Sequence, residues 1–94
     1  MDKNFYITTP IYYPSAKPHM GHAYSSIIAD FFARFKRMDG FNVSFLTGTD
    51  EHGLKIQRAA EEKKLQPLEF CDQISKTFRD LSKTLNLTNT DFIR

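Results

Sequence analysis

Two histidines flank a glycine where a proline-rich stretch gives way to a long amphipathic segment, in the run His19-Met20-Gly21-His22. Residues 10–18 contain three prolines, which lack a backbone donor and push their predecessors out of the helical region, so this stretch must be an extended loop. A helix can start only after it, and the first N–H groups of that helix are unpaired and partly positive. Gly21 would let a bound group approach this backbone, and both imidazoles can donate hydrogen bonds. The pattern predicts a phosphate-binding site.

A second polar stretch, residues 47–53, carries Asp50 and His52. One alternative interpretation is a divalent metal site that combines these two side chains with His19 and His22. We favour the phosphate site, because a glycine between the histidines indicates close approach of a ligand and no catalytic carboxylate is marked beside them. Purely structural alternatives also exist: the histidines as caps or loop hydrogen-bond partners, and Asp50 as the cap of the helix that follows it.

The hydrophobic pattern indicates which elements position these residues. Residues 4–9 are aromatic, β-branched and uncharged, which is typical of a buried parallel strand, and residues 41–47 alternate as a second strand. A helix over residues 21–38 joins them, so we expect a right-handed crossover and a parallel pair. Ligands of open α/β sheets bind at the carboxyl ends of the strands. The two polar loops, residues 10–18 and 47–53, are therefore predicted to face one crevice.

Further elements follow the second strand. The pattern predicts a short helix over residues 54–63, a longer helix that begins at Pro67, and a strand that starts at Phe92. The longer helix has an apolar stripe that consists of Phe70 or Cys71, Ile74, Phe78, Leu81 and Leu85.

The first long helix carries one apolar stripe at spacings of three and four, which we predict to pack on the sheet. The stripe consists of Tyr24, Ile27, Ile28, Phe31, Phe35 and Met38. The other side carries charged residues: Asp30, Arg34, Lys36 and Arg37. We interpret them as a solvated face with cations near the helix C-terminus, where the dipole favours them, and an RNA contact is the alternative.

Length and composition limit the class of protein. Ninety-four residues form at most one small domain, and a hydrophobic content of 40% is that of a globular chain. The single cysteine, Cys71, excludes an internal disulfide and a thiolate-rich zinc site and suggests a reducing compartment. No apolar run reaches membrane-spanning length and no signal-peptide pattern is present, so we expect a cytoplasmic protein without membrane contact. A net charge of +2 does not by itself indicate nucleic acid.

The run His19-Met20-Gly21-His22 resembles the His-Ile-Gly-His signature of class I aminoacyl-tRNA synthetases. The stretches Thr9-Pro10-Ile11-Tyr12-Tyr13-Pro14 and Phe45-Leu46-Thr47-Gly48-Thr49-Asp50-Glu51-His52-Gly53 are similar to the methionyl branch of that family, and the similarity continues through Arg94. The resemblance implies an α/β fold that is the first, incomplete half of a Rossmann-like nucleotide-binding fold, a parallel βαβ unit plus two further helices. Residues 1–94 would then be the N-terminal half of the catalytic domain.

The resemblance assigns ATP binding to His19, Gly21 and His22, with the two histidines as catalytic hydrogen-bond donors to phosphate oxygens. It implies that methionine and ATP, the latter with Mg²⁺ as a substrate, form methionyl-adenylate, and that methionine is then transferred to tRNA(Met). The carboxylate of methionine is already a competent nucleophile, so catalysis is positioning and charge stabilisation without a general base.

The resemblance also assigns methionine binding, to Ile11 and Tyr13 in the side-chain pocket and to Asp50 at the α-ammonium group. An aromatic ring suits a thioether, and a buried ammonium requires an anionic partner. Simple core or rim packing is the alternative for Tyr13. From Glu51 and His52, which belong to the same family pattern, we expect only supporting contacts.

Other features of the family have no counterpart in these 94 residues. The second signature, Lys-Met-Ser-Lys-Ser, is absent, as are the connective insertion, the second half of the nucleotide fold and the anticodon-binding domain. We therefore expect the chain alone to be inactive, to contain no bound metal, and to reach tRNA only through missing domains. Two alternatives are a non-catalytic binding or interaction fragment and a small nucleotidylyltransferase that shares the histidine signature.

Overall fold

The sheet is built around its second strand and positions both polar loops. The structure, a computed structural model, describes residues 3–94. In chain order its elements are β1 (Asn4–Thr8), α1 (Met20–Met38), β2 (Asn42–Gly48), α2 (Leu54–Glu62), α3 (Pro67–Thr84) and β3 (Asp91–Ile93). All three strands are parallel in the order β1-β2-β3, with Asn4 opposite Asn42 and Leu46 opposite Asp91. The predicted α/β fold is confirmed, and the predicted boundaries given above lie within one residue of the observed ones, although the predicted stripe of the last helix extends to Leu85, one residue beyond the end of α3.

The packing of α1 contradicts the predicted apolar stripe. The helix packs on β2 through small side chains: Ala29 and Ala33 are buried against Val43 and Phe45, and Ser26 is buried on the same side. Small residues allow the helix to lie close to the sheet, and close packing maximises dispersion contacts. The predicted stripe is exposed instead, by 40% at Ile28 to 89% at Met38. Tyr24, Ile27, Phe31 and Phe35 lie between these values.

The charged side of α1 is also not simply a solvated face. Asp30 is only 8% exposed. Its carboxylate accepts hydrogen bonds from the backbone N–H of Thr88 at 2.7 Å, from the Thr88 hydroxyl at 2.6 Å and from Arg34 Nε at 2.7 Å. Arg37 donates to the Thr88 carbonyl at 2.8 Å. The predicted solvated face is therefore wrong at these positions, where the side chains tie α1 to the segment between α3 and β3.

Burial raises the pKa of the Asp30 carboxyl, but the hydrogen bonds from Thr88 and Arg34 outweigh burial and hold that pKa below its ordinary value. The carboxylate is thus charged at neutral pH, which makes its hydrogen bonds stronger than those between neutral groups.

The prediction of a buried first strand is wrong in part. Along β1, half-buried residues such as Phe5 and Ile7 alternate with exposed ones, and Tyr6 is 61% exposed. The reason is the position of β1 at one edge of the sheet, where within residues 3–94 only β2 pairs with it. The uncharged residues of the strand indicate a strand in a sheet, but they do not show whether it lies at the centre or at the edge.

The helices that follow β2 form a second small core. Phe70 and Cys71 of α3 pack with Ile56 and Ala60 of α2. The predicted stripe of α3 is confirmed at Phe70 and Cys71 and at Phe78, which is 3% exposed. None of the helices in the described part of the chain is both long and apolar enough to cross a membrane.

Candidate active site

The two polar loops meet at the carboxyl edge of the sheet, as the topology predicts. Tyr12 forms an isolated parallel bridge with Thr49. Its N–H donates to the Gly48 carbonyl at 3.1 Å, and its carbonyl accepts from the Asp50 N–H at 2.7 Å. These bonds continue the pairing of β1 and β2 beyond the strands proper. The start of α1 and the second polar loop, residues 47–53 (called the acidic loop below), are consequently held side by side.

The two histidines cap the N-terminus of α1 with their side chains. His19 Nδ1 accepts from the Gly21 N–H at 2.9 Å, and His22 Nδ1 accepts from the His19 N–H at 3.0 Å. The ring centroids are 3.9 Å apart. Because each Nδ1 accepts a hydrogen bond, the proton of the neutral ring is on Nε2. The capping alternative is therefore correct, and it is compatible with phosphate binding because each ring keeps one free N–H donor.

The role of Gly21 differs from the one that the sequence suggests. A Cβ at this position would lie 2.8 Å from Cε1 of His19, closer than real Cβ contacts come. The space beside Gly21 is thus filled by the capping ring itself. A larger residue here would displace the His19 imidazole, which folds back over the first turn, whether or not a ligand also approaches.

His22 is held among aromatic rings. Its ring lies edge-on to Tyr12, with centroids 4.8 Å apart, and to Phe78 at 4.9 Å. Burial lowers the pKa of His22, and the nearby His19 lowers it further. A neutral ring with its proton on Nε2 is consequently the state present at pH 7. The sequence does not reveal Tyr12 and Phe78 as neighbours of this histidine, since one is ten and the other 56 residues away.

A cavity of about 340 Å³ opens beside the histidines. It is lined by Ile11, Tyr12, Tyr13, Ser15, Ala16, Lys17, His19, His22 and Lys55. Its lining thus joins the two residues assigned to the methionine side-chain pocket with the two histidines assigned to ATP. It contains two lysines and no carboxylate, so its potential favours anions. Lys17 and Lys55 were missed in the sequence analysis, although Lys17 lies in the first polar loop and Lys55 in the first turn of the helix that follows the second.

Asp50 lines a neighbouring cavity of about 180 Å³ together with Ile11 and Arg94. Ile11 is therefore the contact that the two cavities share. Asp50 does not cap α2, because the N-cap residue is Gly53 and no side chain caps that helix. The core-packing alternative for Tyr13 is wrong as well, since its side chain is 57% exposed.

An ion-pair cluster secures the acidic loop. Arg94 donates to both carboxylate oxygens of Glu51, at 2.8 and 2.6 Å, and to Asp72 of α3 at 2.6 Å. The Thr49 hydroxyl donates to the same Glu51 carboxylate at 2.9 Å. The Arg94 hydrogen bonds hold the pKa of Glu51 below its ordinary value. The sequence analysis expected only supporting contacts from Glu51, and the structure identifies Arg94 and Thr49 as its partners, with Asp72 as a second acceptor for Arg94.

The metal-site alternative finds no support in residues 3–94, where no group of three or more His, Cys, Asp or Glu side chains is arranged to hold a metal ion. Both Nδ1 atoms of the histidine pair are already bonded to backbone N–H groups.

Comparison with known proteins gives consistent findings. A family model described as tRNA synthetases class I (M) matches residues 5–94. The mitochondrial methionine–tRNA ligase of Takifugu rubripes is 58% identical over 93 residues, which are 99% of this chain and 16% of the relative. The methionine–tRNA ligase of Caldanaerobacter subterraneus is 57% identical over 94 residues, 100% of this chain and 15% of the relative.

Among solved structures, a Mycobacterium tuberculosis methionyl-tRNA synthetase in complex with methionyl-adenylate matches with a TM-score of 0.96 and 47% identity. The match covers 98% of this chain and 18% of that one. The chain thus spans less than a fifth of the length of each of these similar proteins.

Proposed function

We propose that this chain, which belongs to the class I (M) family of tRNA synthetases, acts as part of a methionine–tRNA ligase. Residues 1–94 would form the N-terminal half of the catalytic domain. This division is supported by the family match over residues 5–94 and by the exposed apolar side of α1, which further parts of a domain would cover.

The observation that carries the proposal is the histidine-capped start of α1 in the wall of a cavity that Ile11 and Tyr13 also line. The Nε2–H groups of His19 and His22 would donate to the phosphates of ATP. The helix N-terminus adds partial positive charge at the same place. Ile11 and Tyr13 would contact the methionine side chain, since apolar and aromatic surfaces suit a thioether.

The reaction would be attack of the methionine carboxylate oxygen on the α-phosphorus of ATP, which forms methionyl-adenylate and releases pyrophosphate. The magnesium ion that accompanies ATP would enter with this substrate. Negative charge grows on the phosphate oxygens in the transition state, and the imidazole donors stabilise it without moving a proton. Asp50, two residues after β2, would hold the α-ammonium group. Methionine would then pass to tRNA(Met), which would be bound by parts of the protein other than residues 1–94.

Replacing Tyr13 by Ala in the full gene product tests the methionine pocket. We expect the KM for methionine to rise by about tenfold to a hundredfold, because burial of a large aromatic contact is worth about 1.5–3 kcal/mol. The KM for ATP should change little. Tyr6→Ala is a matched control, since Tyr6 is similarly exposed at 61% but lies on β1 away from the cavity. An unchanged methionine KM in Tyr13→Ala would remove Tyr13 from the pocket.

We also propose a cytoplasmic location, which the single cysteine supports. One similar protein is mitochondrial. Cell fractionation followed by immunodetection distinguishes the two compartments, and recovery in an organelle fraction would contradict the proposal.

A further inference from the structure

Tyr12 lies between the two halves of the candidate site, and nothing above gives its side chain a role in the reaction. It is 7% exposed, whereas its neighbours Ile11 and Tyr13 are 51% and 57% exposed. Successive side chains of an extended segment point to opposite sides. The ring of Tyr12 therefore points into the protein while its neighbours face the cavities.

The backbone of Tyr12 fixes the acidic loop. Its carbonyl accepts the N–H of Asp50 at 2.7 Å, and its N–H donates to Gly48 at 3.1 Å. A displacement of Tyr12 would thus be transmitted directly to the residue assigned to the α-ammonium group of methionine.

The side chain of Tyr12 fixes the first turn of α1. Its ring lies edge-on to His22 at 4.8 Å and stacks on Phe78 at 5.7 Å with an interplanar angle of 26°. Its hydroxyl shares a hydrogen bond with Ser26 Oγ at 2.8 Å and donates to the His22 carbonyl at 3.2 Å. The same residue consequently holds both the imidazole assigned to ATP and the backbone of the helix turn that carries it.

We propose that Tyr12 is a positioning residue that sets the separation and orientation of the ATP-binding histidines relative to the methionine-binding Asp50. The inference rests on the proposed function. Each half of the site would still bind its own ligand without the Tyr12 ring, because the proposed ligand contacts come from Ile11, Tyr13 and Asp50 and from the two histidines. The alignment of the carboxylate nucleophile with the α-phosphorus would be lost, and such misalignment by about 1 Å costs about a hundredfold in rate.

The test is single-turnover formation of methionyl-adenylate by the full gene product, with the rate measured against the concentrations of ATP and methionine. Tyr12→Leu should lower the maximal rate about a hundredfold while each KM stays within about threefold, the pattern of an interaction that matters in the transition state. Phe45→Leu is the matched control, because Phe45 is a fully buried aromatic residue of β2 outside the cavities and should keep the wild-type rate.

The hydroxyl is tested separately by Tyr12→Phe and Ser26→Ala, which keep the ring and also serve if Tyr12→Leu fails to fold. Each should slow adenylate formation several-fold. The double variant should be no slower than Tyr12→Phe, since Tyr12→Phe already removes the bond to Ser26 together with the bond to the His22 carbonyl.

A Tyr12→Leu rate equal to that of Phe45→Leu, or a loss confined to the KM of one ligand, would overturn the role of Tyr12. Wild-type rates for Tyr12→Phe and Ser26→Ala would overturn it equally where Tyr12→Leu does not fold. A wild-type protein that forms no adenylate with methionine would instead overturn the proposed function, and the role of Tyr12 with it. The two failures are thus distinguishable.

Discussion

Replacement of Gly48 by Ala tests whether β3 is held against β2 at the site. A Cβ at Gly48 would lie 2.0 Å from the Ile93 carbonyl oxygen and 2.7 Å from Ile93 Cγ2. The Ile93 backbone would have to move by about 1 Å to reach even the 3.0 Å limit of real Cβ contacts. That movement breaks the 2.9 Å bond from the Thr49 N–H to the Ile93 carbonyl. It also displaces the neighbouring Arg94, which forms an ion pair with Glu51.

We estimate the cost at about 2–4 kcal/mol, from about 1 kcal/mol for the lost hydrogen bond and about 1–3 kcal/mol for overpacking. Hydrogen–deuterium exchange of the full gene product, read on peptides that cover residues 45–50 and 89–94, measures the effect. Protection of the Thr49 amide should fall about 30-fold or more, since every 1.4 kcal/mol is a factor of ten.

Gly40→Ala is the matched control for this experiment. Gly40 has φ +84°, so alanine there is strained, but nothing lies within 4 Å of an added Cβ. This variant should loosen the end of α1 and leave the protection of β3 unchanged. If Gly48→Ala also left residues 45–50 and 89–94 as protected as in the wild type, the described pairing of β2 and β3 would be wrong.

Three further predictions concern α1. Gly21→Ala should push the His19 ring off its capping position, because the added Cβ meets that ring at 2.8 Å, and adenylate formation should fall by about tenfold or more. Asp30→Ala should lower the free energy of unfolding in urea by about 3 kcal/mol, because two charge-assisted hydrogen bonds from Thr88 are lost. The pKa of Asp30 is lowered in the folded state, so this stability is present above about pH 3.8. It is lost as the pH falls through the folded-state pKa. The pKa of His22 is lowered from 6.5, so its cap on α1 should be complete above that pH and be lost as the pH falls through the lower folded value, which exchange of the first helical turn measures.

The element boundaries could be predicted from the sequence because their signals are local. The prolines of the first loop end at residue 18, directly before α1. Pro67 opens α3, and Gly40 follows the end of α1 with a positive φ. The meeting of the two polar loops followed from topology alone, since parallel strands joined by a helix bring their carboxyl ends to one edge.

The buried side of α1 could not be predicted from periodicity. Large apolar residues at helical spacing indicate an apolar side of the helix, but they do not identify the element that packs against it. Against this sheet the small side chains of Ala29 and Ala33 fit, and Asp30 is buried beside them because Thr88, 58 residues later, supplies its hydrogen bonds. Contacts of that sequence separation have no local signal.

The candidate site residues were named through the resemblance more than through the physical pattern, and their roles stay predictions. Ile11, Tyr13, His19 and His22 line one cavity, while Asp50 lies in the adjoining one. Tyr12 was missed because neighbouring tyrosines look alike in a sequence, and only the paired backbone shows which ring is turned inward. Lys17 and Lys55 were missed because single lysines in loops and helix starts are common.

The most direct test of the proposed function is ATP–pyrophosphate exchange with each of the twenty amino acids in turn. It is measured on the full gene product that contains these residues and on residues 1–94 alone. We predict exchange that depends on methionine for the full product and none for residues 1–94 alone, because the chain covers less than a fifth of each similar ligase. Exchange stimulated by a different amino acid, or by none, would contradict the assignment to methionine activation.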